Sequence, residues 1–246
     1  MKNYVEGMNE FLKAESKNIS KISYKRVLVV GDIHGHFTEF MSLYGKLNVS
    51  SDDLLILLGD LIKGGNENLS MIRWAVTESK KPNVIILMGN AENDFLRGSG
   101  GRFTMELKEA VKREPQIVEQ VTEFVQKLPT YYHLNGAFFF CHAGIDPQKS
   151  LLNQTKAKLL NTRPKNFAKE YLGRTLIVVG HTRVQKLNEA YTVPVKLPDR
   201  NILLLDTGIK RGGRISCVDV LSGQYWQSDS IKEDSLCIPK LLSKIY

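Results

Sequence analysis

The apolar residues of this chain fall into short unbroken runs and longer spaced stripes. Residues 27–30, 54–58, 84–88, 176–179 and 202–205 are apolar throughout, and a turn residue lies at one or both ends of each. Such runs predict strands buried on both faces. Residues 131–134 and 137–141 read as two more strands, joined at Asn135-Gly136, a strong hairpin signal. Residues 215–221 and 224–228 read as a closing hairpin across Ser222-Gly223. The stripes predict helices. Phe40, Met41, Leu43, Tyr44 and Leu47 give residues 38–47 a broad apolar face. A second helix runs through Glu78, with Asn68 or Ser70 as its cap. Residues 104–127 are helical in pattern, with Pro115 in the first turn of a second helix there. Tyr4, Met8, Phe11 and Leu12 line one face of an N-terminal helix docked on the domain, and residues 16–20 read as a polar loop. Residues 147–173 are mixed, helical and polar, and residues 238–245 are apolar enough to pack on the domain.

Strands and helices alternate in the first half, which predicts right-handed crossovers and a parallel sheet. The second half is richer in hairpins. Two packed sheets flanked by helices account for both halves; a single doubly wound sheet is the alternative. The 246 residues are divided as an extension over 1–21, one domain over 22–232 and a tail over 233–246, since no linker-like stretch separates the rest.

Charge narrows the partners. A net charge of +8 favours anions: phosphorylated protein, nucleotide or nucleic acid. No basic run is interleaved with aromatics, so nucleic acid is not expected. Cys141, Cys217 and Cys237 are odd in number and lack a C-x-x-C spacing, which suits a reducing cytoplasm. No apolar run is long enough to span a bilayer, and the N-terminus lacks a signal-peptide core. A cytoplasmic protein without membrane partners is the expectation.

The chemistry gathers where the strands stop. Asp32 and His34 follow Gly31, Asp60 follows Gly59, Asn90 follows Gly89, His142 follows Cys141, and His181 follows Gly180. Open α/β sheets carry their ligands at these strand ends. Oxygen and imidazole donors without thiolate suit two borderline divalent ions, manganese, iron or zinc. Two such ions about 3.5–4 Å apart clamp a phosphate and activate water. Asp60, central in the order, is the candidate bridging carboxylate.

Gly31-Asp32-Ile33-His34-Gly35, Gly59-Asp60, Gly89-Asn90-Ala91-Glu92, His142-Ala143-Gly144 and Gly180-His181-Thr182 resemble the motifs of the calcineurin-like metallophosphoesterases. The phosphoprotein phosphatase branch is nearest. Asp206-Thr207-Gly208 followed by Gly212-Gly213-Arg214-Ile215 resembles its bacterial and phage members. These include serine/threonine phosphatases and symmetrical diadenosine tetraphosphate hydrolases. The likeness covers about residues 26–228. It implies a two-sheet β-sandwich flanked by helices, an α/β fold. It also implies two divalent metals, one on Asp32, His34 and Asp60, the other on Asp60, Asn90, His142 and His181. A metal-bridging hydroxide would attack a phosphoprotein or a nucleotide polyphosphate. Arg163, in Leu159-Leu160-Asn161-Thr162-Arg163, matches the segment that supplies a phosphate-binding arginine.

Two motifs depart from the family pattern. The second reads Gly59-Asp60-Leu61-Ile62-Lys63-Gly64-Gly65, where the family has Gly-Asp-x-x-Asp-Arg-Gly. The third has Ala91 where the family has a histidine. By resemblance, that histidine is the general acid and the aspartate at Lys63 is its partner. Lys63 is thus a candidate substitute donor or phosphate contact. Missing acid catalysis favours a nucleotide polyphosphate substrate. A pseudophosphatase that binds metal and phosphate without turnover is the alternative.

Overall fold

A computed structural model describes residues 4–198 and 200–229. The tail over 233–246, with its apolar stretch 238–245 and Cys237, lies outside the described residues. The chain opens with helices α1 (Tyr4–Ala14) and α2 (Ser16–Ile19), then strand β1 (Arg26–Val30) and α3 (Phe37–Leu47). Next come β2 (Asp53–Leu57), α4 (Asn68–Glu78), β3 (Val84–Ile86), α5 (Asn90–Leu96), α6 (Arg102–Ala110) and α7 (Ile117–Lys127). The second half holds β4 (Tyr131–Leu134), β5 (Phe138–Cys141), α8 (Lys156–Asn161), α9 (Pro164–Phe167), β6 (Leu176–Val179), β7 (Val195–Lys196), β8 (Ile202–Leu204), β9 (Ser216–Asp219) and β10 (Tyr225–Gln227).

Two five-stranded sheets result, ordered β10-β9-β1-β2-β3 and β4-β5-β6-β8-β7. In the first, β1, β2 and β3 are parallel. In the second, β5, β6 and β8 are parallel. The two-sheet expectation holds, and the single doubly wound sheet does not.

Side-chain alternation explains the unbroken apolar runs. Leu28 and Val30 of β1, with Leu55 and Leu57 of β2, pack into one cluster with α3, α4, α6 and α7. Val27, Val29, Leu54 and Ile56 point the other way. There they meet Phe138 and Phe140 of β5, Leu176 and Val178 of β6, and Leu203 of β8. The opposite faces of those strands, with Phe139, Ile177 and Leu204, pack on α8 and α9 through Leu159 and Phe167. Each central strand is therefore dry on both sides, sheet within and helices without. Docking of α1 adds Met8 and Phe11 to the middle cluster, with the Phe11 and Phe138 rings 5.6 Å apart. The hairpin at Asn135-Gly136 has φ of 47° and 72°, which a tight two-residue turn requires.

Three local details differ from the expectations. Residues 16–20 contain the helical turn α2, where buried Glu15 accepts from Asn18 and Arg174. Asn68 is inside α4 rather than capping it, because its amide holds Lys63 N–H and the Gly65 carbonyl. Pro115 precedes α7, which starts at Ile117. No helix among the described residues is long and apolar enough to cross a membrane.

Candidate metal centre

The parallel strands of both sheets deliver their C-terminal ends to one place. Asp32 and His34 follow β1, Asp60 follows β2, and Asn90 follows β3 and opens α5. His142 follows β5, His181 follows β6, and Asp206 follows β8. One ligand atom each from Asp32, His34 and Asp60 lies within 4.8 Å of the others. The second sheet closes on these residues. His142 Nε2 lies 3.3 Å from Asp60 Oδ1 and 3.0 Å from Asn90 Oδ1. The His181 backbone N–H donates to Asp32 Oδ1 at 2.8 Å, and the His181 and His142 rings stand 5.0 Å apart. The structure thus gathers Asp32, His34, Asp60, Asn90, His142 and His181 around one point.

Both buried imidazoles are oriented from behind. His34 Nδ1 is 3.1 Å from the Ile62 carbonyl, and His142 Nδ1 is 3.0 Å from the Leu58 carbonyl. A carbonyl can only accept, so each Nδ1 carries the proton when the ring is neutral. That leaves Nε2 unprotonated on the carboxylate side, the arrangement usual for a metal-ligating histidine. His34 Nε2 lies 3.4 Å from Asp32 Oδ2 and 3.6 Å from Asp60 Oδ2.

Backbone and charge both show a built site. His34, Asp60 and His181 have φ of 53°, 50° and 60°, in the left-handed region that non-glycine residues seldom occupy. Two glycines make room for ligands. A Cβ on Gly180 would fall on Asp32 Oδ1, and one on Gly89 would fall on the Asp60 backbone nitrogen and carboxylate. Burial pushes the Asp206 carboxyl up to about 7, and neighbouring Asp32 adds to the shift. Burial also pushes Glu92 up to about 7, with Asp60 the next cause. His34, despite its burial, is raised to about 9 by Asp32 and Asp60. His181 is lowered to about 4 by burial and then by His142. Clustered carboxylates and oriented imidazoles in a low-dielectric site favour a bound cation. The donor set therefore fits divalent metal.

Glu92 joins two of the ligand loops. Its Oε2 accepts from Gly89 N at 2.8 Å and Asp60 N at 2.9 Å. Its Oε1 accepts from Leu61 N at 2.8 Å and Ile62 N at 3.3 Å. The Gly89 contact also forms half of a capping box on α5. Ala91 is fully buried, and its N–H donates to Asp60 Oδ1 at 2.8 Å. Lys63 turns aside and pairs with Asp94 of α5.

A cleft of about 280 Å³ opens over the candidate ligands. Its lining includes His34, Asp60, Asn90, His181 and Asp206, but not Lys63. Arg163, Arg183, Lys186, Lys210 and Arg211 form the rest of the lining. Arg163 Nη1 donates to Thr182 Oγ1 at 3.3 Å. None of the five cations has a carboxylate ion-pair partner among the described residues. Sequence reasoning assigned no role to Asp206 or Glu92 and missed four of the five cations. Asp206 carried a usable signal, since it ends a strand as Asp60 does. The cations come from separate segments and carried none.

Comparison with known proteins agrees with this geometry. The calcineurin-like phosphoesterase family model matches residues 25–208. An asymmetrical bis(5'-nucleosyl)-tetraphosphatase from Anoxybacillus flavithermus is 27% identical over 227 residues, 77% of this chain and 88% of the relative. A protein of the same name from Bacillus mycoides is 30% identical, over 76% of this chain and 87% of its own. Among solved structures, a putative diadenosine tetraphosphatase superposes with a TM-score of 0.63 at 19% identity, covering 84% of this chain and 94% of its own. A protein serine/threonine phosphatase from Saccharomyces cerevisiae gives 0.60 at 14% identity, covering 86% and 82%. With a family model matching residues 25–208, most of its length, the chain belongs to the calcineurin-like phosphoesterases.

Proposed function

We propose that the protein hydrolyses phosphoanhydride bonds of nucleotide polyphosphates at a two-metal centre. Family membership makes it a metal-dependent hydrolase. The choice of substrate rests on one observation above all, the five cations around a cleft that lacks a histidine at position 91. A single phosphomonoester does not need that much positive charge. A chain of phosphates does. The names of the relatives point the same way, being tetraphosphatases that act on bis(5'-nucleosyl) compounds.

Asp32, His34 and Asp60 would hold one ion, and Asp60, Asn90, His142 and His181 the other. Bound there, the ions supply Lewis acidity and an activated water. The chain's own residues do the rest. Arg163 clamps the phosphoryl oxygens through two parallel donors and stabilises charge that grows in the transition state. Lys210 and Arg211 stand over the same cleft and neutralise neighbouring phosphates. A new P–O bond forms to water, which gives up its proton to solvent, as the bridging P–O bond breaks and the departing phosphate keeps the electron pair. A phosphate has a second pKa near 6, so it leaves without a donated proton. A serine alkoxide could not. Lys63, held by Asp94, is assigned no proton transfer and instead fixes the strained loop behind Asp60.

The missing dyad also favours a second reading, a protein that binds metal and phosphate without turnover. The manganese-loaded chain, incubated with a dinucleoside tetraphosphate and with a phosphoserine peptide, separates the readings. Hydrolysis of the first in clear excess supports ours. Equal rates on both would refute the substrate assignment, and no turnover of either would favour the second reading.

A further inference from the structure

A second cavity lies against the metal cleft and differs from it in character. It has a volume of about 430 Å³, within the range of about 300–1,000 Å³ usual for small-molecule sites. Arg163 and Lys186 line both spaces, so the two cavities meet at a pair of cations. The metal cleft is lined only by ionisable or amide side chains. Its neighbour also has apolar walls, buried Pro164 and Leu187, the latter 41% exposed. The hydroxyl of Thr182 belongs to it too and accepts from Arg163.

We propose that this cavity receives a nucleoside of the substrate, its base lying on Pro164 and Leu187, while Arg163 and Lys186 grip the phosphates leading to the metals. The inference rests on the nucleotide polyphosphate reading and deepens it. The order of chemistries across the two spaces carries it. Candidate metal ligands come first, then the shared cations, then an apolar surface edged with a hydroxyl and with Lys165. A nucleoside polyphosphate has the matching order of reacting phosphoryl, linking phosphates, ribose and base. The cleft of about 280 Å³ is too polar for a base, whose faces are apolar, but suits phosphates.

The test is calorimetry on the manganese-loaded full chain with three probes. These are a methylene-bridged dinucleoside tetraphosphate, a nonhydrolysable nucleoside triphosphate and inorganic tripolyphosphate. Leu187→Ser is expected to weaken the nucleoside-bearing probes about tenfold relative to tripolyphosphate, the scale of a lost apolar pocket contact. Leu187→Trp offers a larger face for the base and should shift the ratio the other way. Its fluorescence should be quenched by the nucleoside probes and not by tripolyphosphate. An effect shared by both nucleoside probes means that one nucleoside is recognised; an effect confined to the dinucleoside means that the far nucleoside is. Identical ratios in the parent and both variants would overturn the proposal, as would no binding of any nucleoside probe by the parent. Binding is read without turnover, so a catalytically inert parent would count against the hydrolase reading and leave this inference to be judged on the ratios.

Discussion

Replacing Glu92 by glutamine changes little volume and tests how the metal centre is built. The carboxylate accepts four backbone N–H groups, two on each oxygen. Glutamine keeps one oxygen and places an amide NH₂ where the other was. Two buried N–H donors then face a donor. Each buried donor left unsatisfied costs about 1–3 kcal/mol, so the gross loss is roughly 2–6 kcal/mol. One effect works in the opposite direction. The same burial that pushes the Glu92 carboxyl up to about 7 penalises its charged form, and the neutral amide escapes that penalty. A net loss of roughly 2–4 kcal/mol is expected, a sizeable part of a stability that is typically about 5–15 kcal/mol. Urea denaturation of the chelated protein measures it. The second readout is metal content after dialysis against manganese, because Asp60 N–H is one of the four donors and the loss loosens the central ligand. A Glu92→Gln protein within about 0.5 kcal/mol of the parent and with full metal content would refute the argument.

Other consequences are accessible to the same preparations. Asp60→Asn should reduce manganese content at both sites by elemental analysis, since a neutral amide bridges two cations poorly. Gly180→Ala should also lower metal content, because its Cβ displaces the Asp32 carboxylate; a normally loaded variant would show that the loop yields without cost. For the chelated protein, Glu92 and Asp206 raised to about 7 hold protons that the unfolded chain releases near pH 4, so stability falls as pH rises through that window. His34, raised to about 9, extends the fall upward from about pH 6.5, whereas His181, lowered to about 4, opposes it between about pH 4 and 6.5. Thermal melts with chelator at pH 5, 7 and 9 should decline, and melts with manganese should not, since the cation removes the reason for the raised carboxyls.

The sheets could be read because each central strand is dry on both faces. Residues 27–30 and 54–58 are apolar at every position for that reason, and no surface helix produces such a run. The candidate ligands could be read because each lies within a few residues of the end of such a run. Elements with no such burial were harder to see. The two-residue strand β7 has no pattern to detect. Helix α5 begins on the candidate ligand Asn90 itself, with a polar sequence that looks like loop, and forms because Glu92 caps it. Glu15 is 4% exposed in a polar stretch and holds α2, but a buried charge cannot be told from a solvated one without its partner Arg174, 159 positions away. The cationic rim was hidden most completely. Arg163 precedes α9, Arg183 and Lys186 flank and end one 3₁₀ turn, and Lys210 and Arg211 lie in another. The net charge of +8 indicated an anionic partner, but only the fold brings these five to one cleft.

The places of Ala91 and Lys63 bear on the substrate proposed above. Ala91 and Lys63 sit on the two loops that Glu92 ties together, so both positions are held close to Asp60 and the other candidate ligands. A histidine at 91 would have to enter a fully buried position, at a cost of about 1–3 kcal/mol for overpacking. Lys63 would depress the pKa of that histidine, and an aspartate at 63 would meet Asp94 across the space that the ion pair now fills. Three residues, rather than one, therefore stand between this site and acid-assisted chemistry. General acid catalysis is typically worth about 10²–10⁴-fold, and a site without it favours leaving groups that depart as stable anions. On the proposed reading, the five cations would stabilise such a group, a phosphate still attached to its nucleoside, without moving a proton. Ala91 and Lys63 on one side and the cationic rim on the other thus both agree with the substrate chemistry proposed above.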